Sequence, residues 1–454
     1  MNQSEQLDLR RTWAFFWPLA LSGIMMSAGQ PLVQAGLARL DSPELVLAAY
    51  GLAFYVAVLL EAPIIMLLPV ATALVEDEVS YRFTRNIMIW INILLTLLTA
   101  AVALWTPLYG YVFERLLAFP ADVSAAARPG LIALLLWPAV IGVRRYYQGI
   151  LVRFGRTAVV SWGSAARLAA MVVALLVGIQ LFPSYGILVG SATLMAGVIA
   201  DMGVAVIAAR RLLLGRVLPA EAQDGSKAGR ALPAFLAFFT PLALTSALRV
   251  VGRPLMLSGI AKSYQPVLAL AAFPVALSTM QLLSGYLQMM QQVAVALVKD
   301  GASFLVVRRF VGRVGLACTA GLAVVALSPV GGWYHGRVIG LEGQVLAMAN
   351  ASLRLLVIAP MLVAVQSYYQ GLMIRAGRTI AVQVAALGNL LLLVLGINFL
   401  AAETTVLGHL IAAAVFPLAL GLEVAVLYRW CRPLERQLAI SAVAEAQARA
   451  GGTR

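Results

Sequence analysis

The sequence predicts an all-α polytopic membrane protein, with about twelve transmembrane helices in two like-oriented six-helix repeats. Three observations carry that reading. Of 454 residues, 62% are hydrophobic and only 11% charged, at a mean hydropathy of +0.92, whereas roughly a quarter of a soluble domain is charged. Apolar runs of roughly 20 residues or more recur along the chain, each long enough to cross ~30 Å of hydrocarbon as a helix and satisfy its own backbone. The chain is also a duplication: AFFWPLALSGIMMSAGQPLVQAGLARL at 14–40 and AFFTPLALTSALRVVGRPLMLSGIAKS at 237–263 share AFF, PLAL, a Gly, a Pro-Leu and another Gly at an offset of 223.

Spans are expected near 12–38, 44–74, 84–107, 124–150, 157–181, 184–211, 231–261, 265–298, 304–329, 346–373, 379–401 and 404–429. The opening MNQSEQLDLRRTW lacks a small-residue cleavage site after a short apolar core, so the first span reads as uncleaved. Gln30-Pro31 and Arg253-Pro254 are expected kink sites, because proline disfavours helical geometry in the residue before it. The repeat continues through VATALVED at 70–77 against VAVALVKD at 293–300, and through RRYYQGILVRFGRT at 144–157 against QSYYQGLMIRAGRT at 366–379. The repeated YYQG and GRT elements are expected to mark a helix end and a tight turn. A transporter with a cavity between two bundles follows from repeats of equal orientation.

The net charge of +14 sets topology, since no soluble basic domain exists to bind nucleic acid. Arginines collect in alternate loops (Arg10, Arg11; Arg82, Arg85; Arg153, Arg156; Arg210, Arg211; Arg308, Arg309, Arg313; Arg375, Arg378), while the opposite loops offer little beyond Arg39, Arg115, Arg128, Lys262, Arg337 and Arg354. The expectation is a multi-pass protein of a bacterial inner (plasma) membrane, monomeric among lipids, with both termini cytoplasmic. The polar stretch LLLGRVLPAEAQDGSKAGRAL reads as a cytoplasmic linker, dividing the chain into a half over 1–211, a linker over 212–232, a half over 233–431 and a cytoplasmic tail over 432–454.

Little in the chain suggests an enzyme. No Walker motif occurs, so ATP hydrolysis is not the energy source, and neither HExxH, GxSxG nor a paired-carboxylate spacing is present. No metal site, cofactor or catalytic set is expected: Cys318 and Cys431 read as packing residues, and His335 and His409 as polar interfacial ones. Function therefore rests on ionisable groups within the spans, each costly unless it meets a partner or a wet cavity. Arg249 and Arg253, four apart on one helix face, replace Met26 and Gln30 of the first repeat, and read either as anion-binding cavity residues or as ion-pair partners of Glu61 or Asp201. Charge is accordingly expected on the second half's copy of the helix. Glu61, against Ser284 in the other repeat, reads as a substrate or coupling group, whereas Asp201, matched by Glu423, reads as a coupling or structural acid. Arg167 adds a cation, Arg144 and Arg145 are expected to snorkel, and Gln281 and Gln288, seven apart, share a face that can line the cavity.

Taken together, the like-oriented halves, Pro18-Leu19 with Gly29 and Gly36, Tyr50-Gly51-Leu52-Ala53 with Pro63, Pro241-Leu242-Ala243-Leu244 leading to Arg253-Pro254, and Phe273-Pro274-Val275 resemble the multidrug/oligosaccharidyl-lipid/polysaccharide (MOP) flippase superfamily, which includes the multidrug and toxic compound extrusion (MATE) transporters. Within it the chain looks most like the progressive ankylosis protein family. That resemblance implies a MATE-like fold and export of multivalent anions such as pyrophosphate, citrate or nucleotides, with Arg253 on a matching arginine-proline. Span one departs from the pattern, carrying Ser27 and Gln30 where the family's animal members look acidic, which also argues against the cation-drug antiporters. The expected function is secondary transport or antiport of a small anionic solute by alternating access, coupled to H+ or Na+. A cation-coupled drug extruder relying on Glu61 and Asp201, or a lipid-linked substrate flippase, are the alternatives.

Overall fold

The computed structural model describes residues 7–215, 231–376, 378–403 and 407–451. The first half builds α1 (Leu9–Leu37), α2 (Pro43–Glu61), α3 (Leu67–Leu74), α4 (Glu78–Leu104), α5 (Thr106–Gly110), α6 (Ala121–Ala133), α7 (Trp137–Arg153), α8 (Thr157–Leu181) and α9 (Gly186–Gly215). The second builds α10 (Leu232–Ala261), α11 (Pro266–Ser284), α12 (Met290–Leu297), α13 (Gly301–Leu327), α14 (Pro329–Trp333), α15 (Gly343–Leu355), α16 (Ala359–Arg375), α17 (Thr379–Glu403) and α18 (Gly408–Gly451). Each helix of the first set recurs nine places later in the second. Most of the expected linker, 216–230, lies outside the described residues.

Among the described residues nine helices are long and apolar enough to cross a membrane, or eleven when the bent pairs α6–α7 (46°) and α15–α16 (47°) each count as one span. The helix α1 is the remaining member, its apolar run diluted by Gln30, Gln34 and small polar residues. Lipid-facing surface is plain on α4, where Trp90 is 70% exposed, and on α8, where Trp162 is 73% exposed.

Helical assignment is interrupted away from the two Gln/Arg-Pro steps. Helices α1 and α10 are continuous through Pro31 and Pro254. The interruptions lie instead within the second span of each half, as 3-10 turns at Ile64–Met66 and Gly285–Met289. Other repeated signals have local causes. Asp77 and Asp300 close capping boxes, accepting from the backbone N–H of Ser80 at 2.7 Å and of Ser303 at 2.8 Å, and so start α4 and α13. Ser42 and Gln265 sit in left-handed backbone (φ 51° and 50°) just before Pro43 and Pro266, which open α2 and α11.

The YYQG element proves to lie inside α7 and α16, four residues short of their ends. Its glycine is there for close approach: a Cβ on Gly149 would stand 2.4 Å from the Leu68 carbonyl oxygen, and one on Gly371 would stand 2.5 Å from that of Gln291. The turn is made one step later by Gly155, in left-handed backbone at φ 72°.

The halves meet along α2 and α11, with α1 against α11 and α10 against α2. At the face opposite the chain termini they are tied by side chains. Arg39, just past α1, donates to the carbonyls of Arg337 (3.1 Å), Val338 (2.8 Å) and Ile339 (3.0 Å). Ser258 near the end of α10 donates to the Leu117 carbonyl at 2.6 Å. Each tie joins the end of a half's first helix to a π-helical turn of the other half, within Tyr334–Ile339 for Arg39 and just after Tyr111–Leu116 for Ser258, so the closure is itself duplicated.

The two histidines are buried in the protein. His335 is wedged between Thr279 (3.0 Å) and Asn350 (2.8 Å), where burial holds its imidazole below the usual range and neutral; His409 is 1% exposed. Both cysteines are free, and Cys318 meets the Tyr286 hydroxyl at 3.0 Å.

Candidate transport site

Two polar sites occupy equivalent places in the two halves. In the second, a cavity of about 300 Å³ is lined by Arg253 of α10, by Gln281 and Ser284 of α11, by Gln288 in the 3-10 turn and Gln291 of α12, by Gln366, Ser367 and Gln370 of α16, by Asn389 of α17 and by Glu423 of α18. Glu423 is held from two sides, by Gln370 Nε2 at 2.9 Å and Asn389 Nδ2 at 2.7 Å. The Arg253 guanidinium lies 5.8 Å over the ring of Tyr55, a residue of the other half.

In the first half the corresponding places are ionic. At an offset of 222, Gln366, Ser367, Gln370, Asn389 and Glu423 become Arg144, Arg145, Gln148, Arg167 and Asp201; at 223, Ser284 and Arg253 become Glu61 and Gln30. Arg144 pairs with Asp201 at 2.7 Å, with side chains 7% and 3% exposed, and Gln148 Nε2 reaches the other carboxylate oxygen at 3.2 Å. Room for that carboxylate comes from Gly163, where a Cβ would stand 2.3 Å from Oδ1. Glu61 accepts from the Trp137 indole and feels the charges of Arg144, Arg145 and Arg167. Gln30 accepts from the Tyr50 hydroxyl at 3.0 Å, beside Arg167.

The sequence-predicted residues thus divide. Arg253, Gln281 and Gln288 share the second-half cavity, while Glu61, Arg167 and Asp201 share the first-half cluster with Gln30 at its margin. Arg249 belongs to α10, and its side chain lies outside the described residues. Two expectations change. Arg144 does not snorkel, because Asp201 draws it inward; and among the described residues ionic charge gathers in the first half as well, on α7 and α8. Reading along the spans alone misses Arg144, Gln148, Gln366, Gln370 and Asn389. Laying the second repeat over the first at offset 222 marks all of them as polar pairs.

The sequence profile of the progressive ankylosis protein (ANKH) family matches residues 5–265. The chain belongs to that family. A comparison with curated proteins finds no match. Among solved structures, this ANKH-family chain is similar to an inward-facing multidrug resistance MATE family transporter of the MOP superfamily (TM-score 0.70, 14% identity, covering 93% of this chain and 99% of that one). It is likewise similar to the lipid II flippase MurJ in an inward closed conformation (TM-score 0.70, 11% identity, 95% and 91% covered). A third is a MOP superfamily transporter from Pyrococcus furiosus described as having a binding pocket of reverse polarity (TM-score 0.61, 14% identity, 95% and 97% covered). The ANKH-family chain therefore has the fold of the MOP transporters, with helices long and apolar enough for a multi-pass membrane protein.

Proposed function

We propose that this ANKH-family protein is a secondary transporter that moves a small multivalent anion, of the citrate, pyrophosphate or nucleotide type, by alternating access between its two halves. The observation that carries this is the composition of the second-half cavity. Its acid, Glu423, has its oxygens occupied by two amides, so Arg253 is the charged donor that its wall offers an incoming oxyanion, among neutral amides. Gln281, Gln288 and Gln366 then hydrogen-bond the ligand's remaining oxygens. The anion's charge on Arg253 would be carried between sides as the halves rock about α2 and α11, driven by an H+ or Na+ gradient, with both termini in the cytoplasm as the arginine distribution requires.

A drug extruder for cations fits poorly, since three arginines surround Glu61 and Asp201 is taken by Arg144. The flippase reading has one observation of its own. An apolar groove of about 670 Å³ runs between α1 and α13, walled by Trp13, Trp17, Phe310 and Arg313, and opens beside α1 where a lipid-linked substrate would enter.

Uptake into proteoliposomes of citrate, pyrophosphate, nucleotides and organic cations tests the proposal. We expect saturable uptake of an anion, reduced about tenfold or more by Arg253→Gln, the residue the first repeat holds there. Preference for cations, or uptake unchanged in Arg253→Gln, sinks it; movement of a lipid-linked substrate alone favours the groove.

A further inference from the structure

The first-half cluster contains more positive charge than its own contacts use. Asp201 is bound by Arg144 and Gln148, and Glu61 by Trp137. Two guanidiniums remain: among the described residues neither Arg145 nor Arg167 makes a hydrogen bond or an ion pair, and Nε of Arg145 is sealed from solvent without a partner. Three cations against two carboxylates leave the cluster one charge positive. An unpaired guanidinium at this depth is costly, and five N–H donors without acceptors add to the cost.

The duplication shows that the fold does not require these cations. Ser367 stands where Arg145 stands and Asn389 where Arg167 stands, and that half still builds the same bond from its YYQG glutamine to its acid. Arg145 and Arg167 are less completely enclosed than Arg144, which is spent on Asp201. Arg167 lies between Gly197 of α9 and Tyr50 of α2, on the inward side of α8.

We propose that Arg145 and Arg167 form an oxyanion site in the first half, holding one carboxylate or phosphate group and distinct from the Arg253 cavity. Its charge balance suits a single anionic group, and Glu61, placed in the field of all three arginines, limits the site to that. The group belongs either to a free solute or to a lipid headgroup. The site does not depend on what the second-half cavity transports.

The test uses the full-length protein in nanodiscs of zwitterionic lipid, with inorganic phosphate and acetate as probes and thermal unfolding as the readout, because a ligand that binds only the folded state raises Tm. Phosphate should stabilise the native protein, and should still stabilise Arg253→Gln, in which any loss belongs to the second-half cavity. Arg145→Ser and Arg167→Asn, which install the second half's residues, should each weaken it about tenfold. Glu61→Gln keeps both arginines and adds positive charge, so it should bind phosphate several-fold more tightly. Native mass spectrometry of protein extracted from membranes supplies the other arm: an anionic phospholipid carried by the native protein and lost in Arg145→Ser and Arg167→Asn assigns the phosphate to lipid. The proposal is overturned if those two variants bind phosphate or lipid like the native protein, if Arg253→Gln removes all of the binding, if Glu61→Gln leaves affinity unchanged, or if the native protein takes up neither probe nor lipid.

Discussion

Arg144 and Asp201 are both nearly sealed from solvent, which makes each dependent on the other. Removing one partner strands a buried charge, so Asp201→Asn or Arg144→Gln alone should cost about 3–5 kcal/mol. The double variant strands nothing and should regain most of that loss. Thermal unfolding of the three proteins in detergent checks it, and additive losses in the double variant would show that the two side chains do not act as a pair. At this scale legibility in the sequence was uneven. Arg253, Gln281 and Gln288 could be read as companions because helical spacing alone puts Gln281 and Gln288 on one face, and because Arg253 breaks a repeat. The Arg144–Asp201 pair spans 57 residues and two helices, and near a helix end snorkelling is the expected behaviour of an arginine. Only the partner's position decides otherwise, and position comes from packing.

The helices themselves were largely legible, since apolar length and duplicated caps are local properties. The VED and VKD matches turn out to be capping boxes at Asp77 and Asp300, a mechanism written within four residues. The 3-10 breaks at Ile64–Met66 and Gly285–Met289 were not legible, because the spans in which they lie read from the sequence as single segments, 44–74 and 265–298. The YYQG element was visible as a repeat, yet its reason lies on other helices: its glutamine holds an acid of α9 or α18, and its glycine lets α7 cross α3 and α16 cross α12. Because the obstacle at Gly149 is a backbone carbonyl, Gly149→Ala cannot be absorbed by a rotamer change and must push α3 aside. We expect a loss of about 1–3 kcal/mol, read as lowered Tm. Gly203→Ala, with no atom within 4 Å of the added methyl, should leave Tm within about 0.5 kcal/mol of native stability. A Gly149→Ala protein as stable as the native one would mean that the α7–α3 crossing is not tight.

The whole molecule is two copies of one bundle, and the alternating access proposed above needs the copies to separate at one face while they close at the other. The ties at the face opposite the termini set the free energy of opening there. Arg39 gives that closure most of its strength, because three successive carbonyls, of Arg337, Val338 and Ile339, converge on a single guanidinium, and Gly340, left-handed at φ 91°, lets the chain fold against it. Hydrogen bonds to a charged group contribute about 1.5–3 kcal/mol net, and water recovers part of that when the face opens. Arg39→Ala should therefore raise the open population about tenfold to a hundredfold, at 1.4 kcal/mol per decade. Ser258→Ala removes one neutral bond from the pseudo-symmetric tie, about 1 kcal/mol, and should shift the same equilibrium less. Spin labels on the exposed Asp41 and Glu342, one in each half beside the Arg39 tie, report the separation directly by electron–electron distance measurement. The native protein should give one short distance. Arg39→Ala should add a longer one, and the double variant should populate it further, because both ties oppose a single rigid-body motion and their contributions add. Distance distributions identical in all four proteins would place the barrier to opening in the α2–α11 packing and leave the two ties as surface contacts.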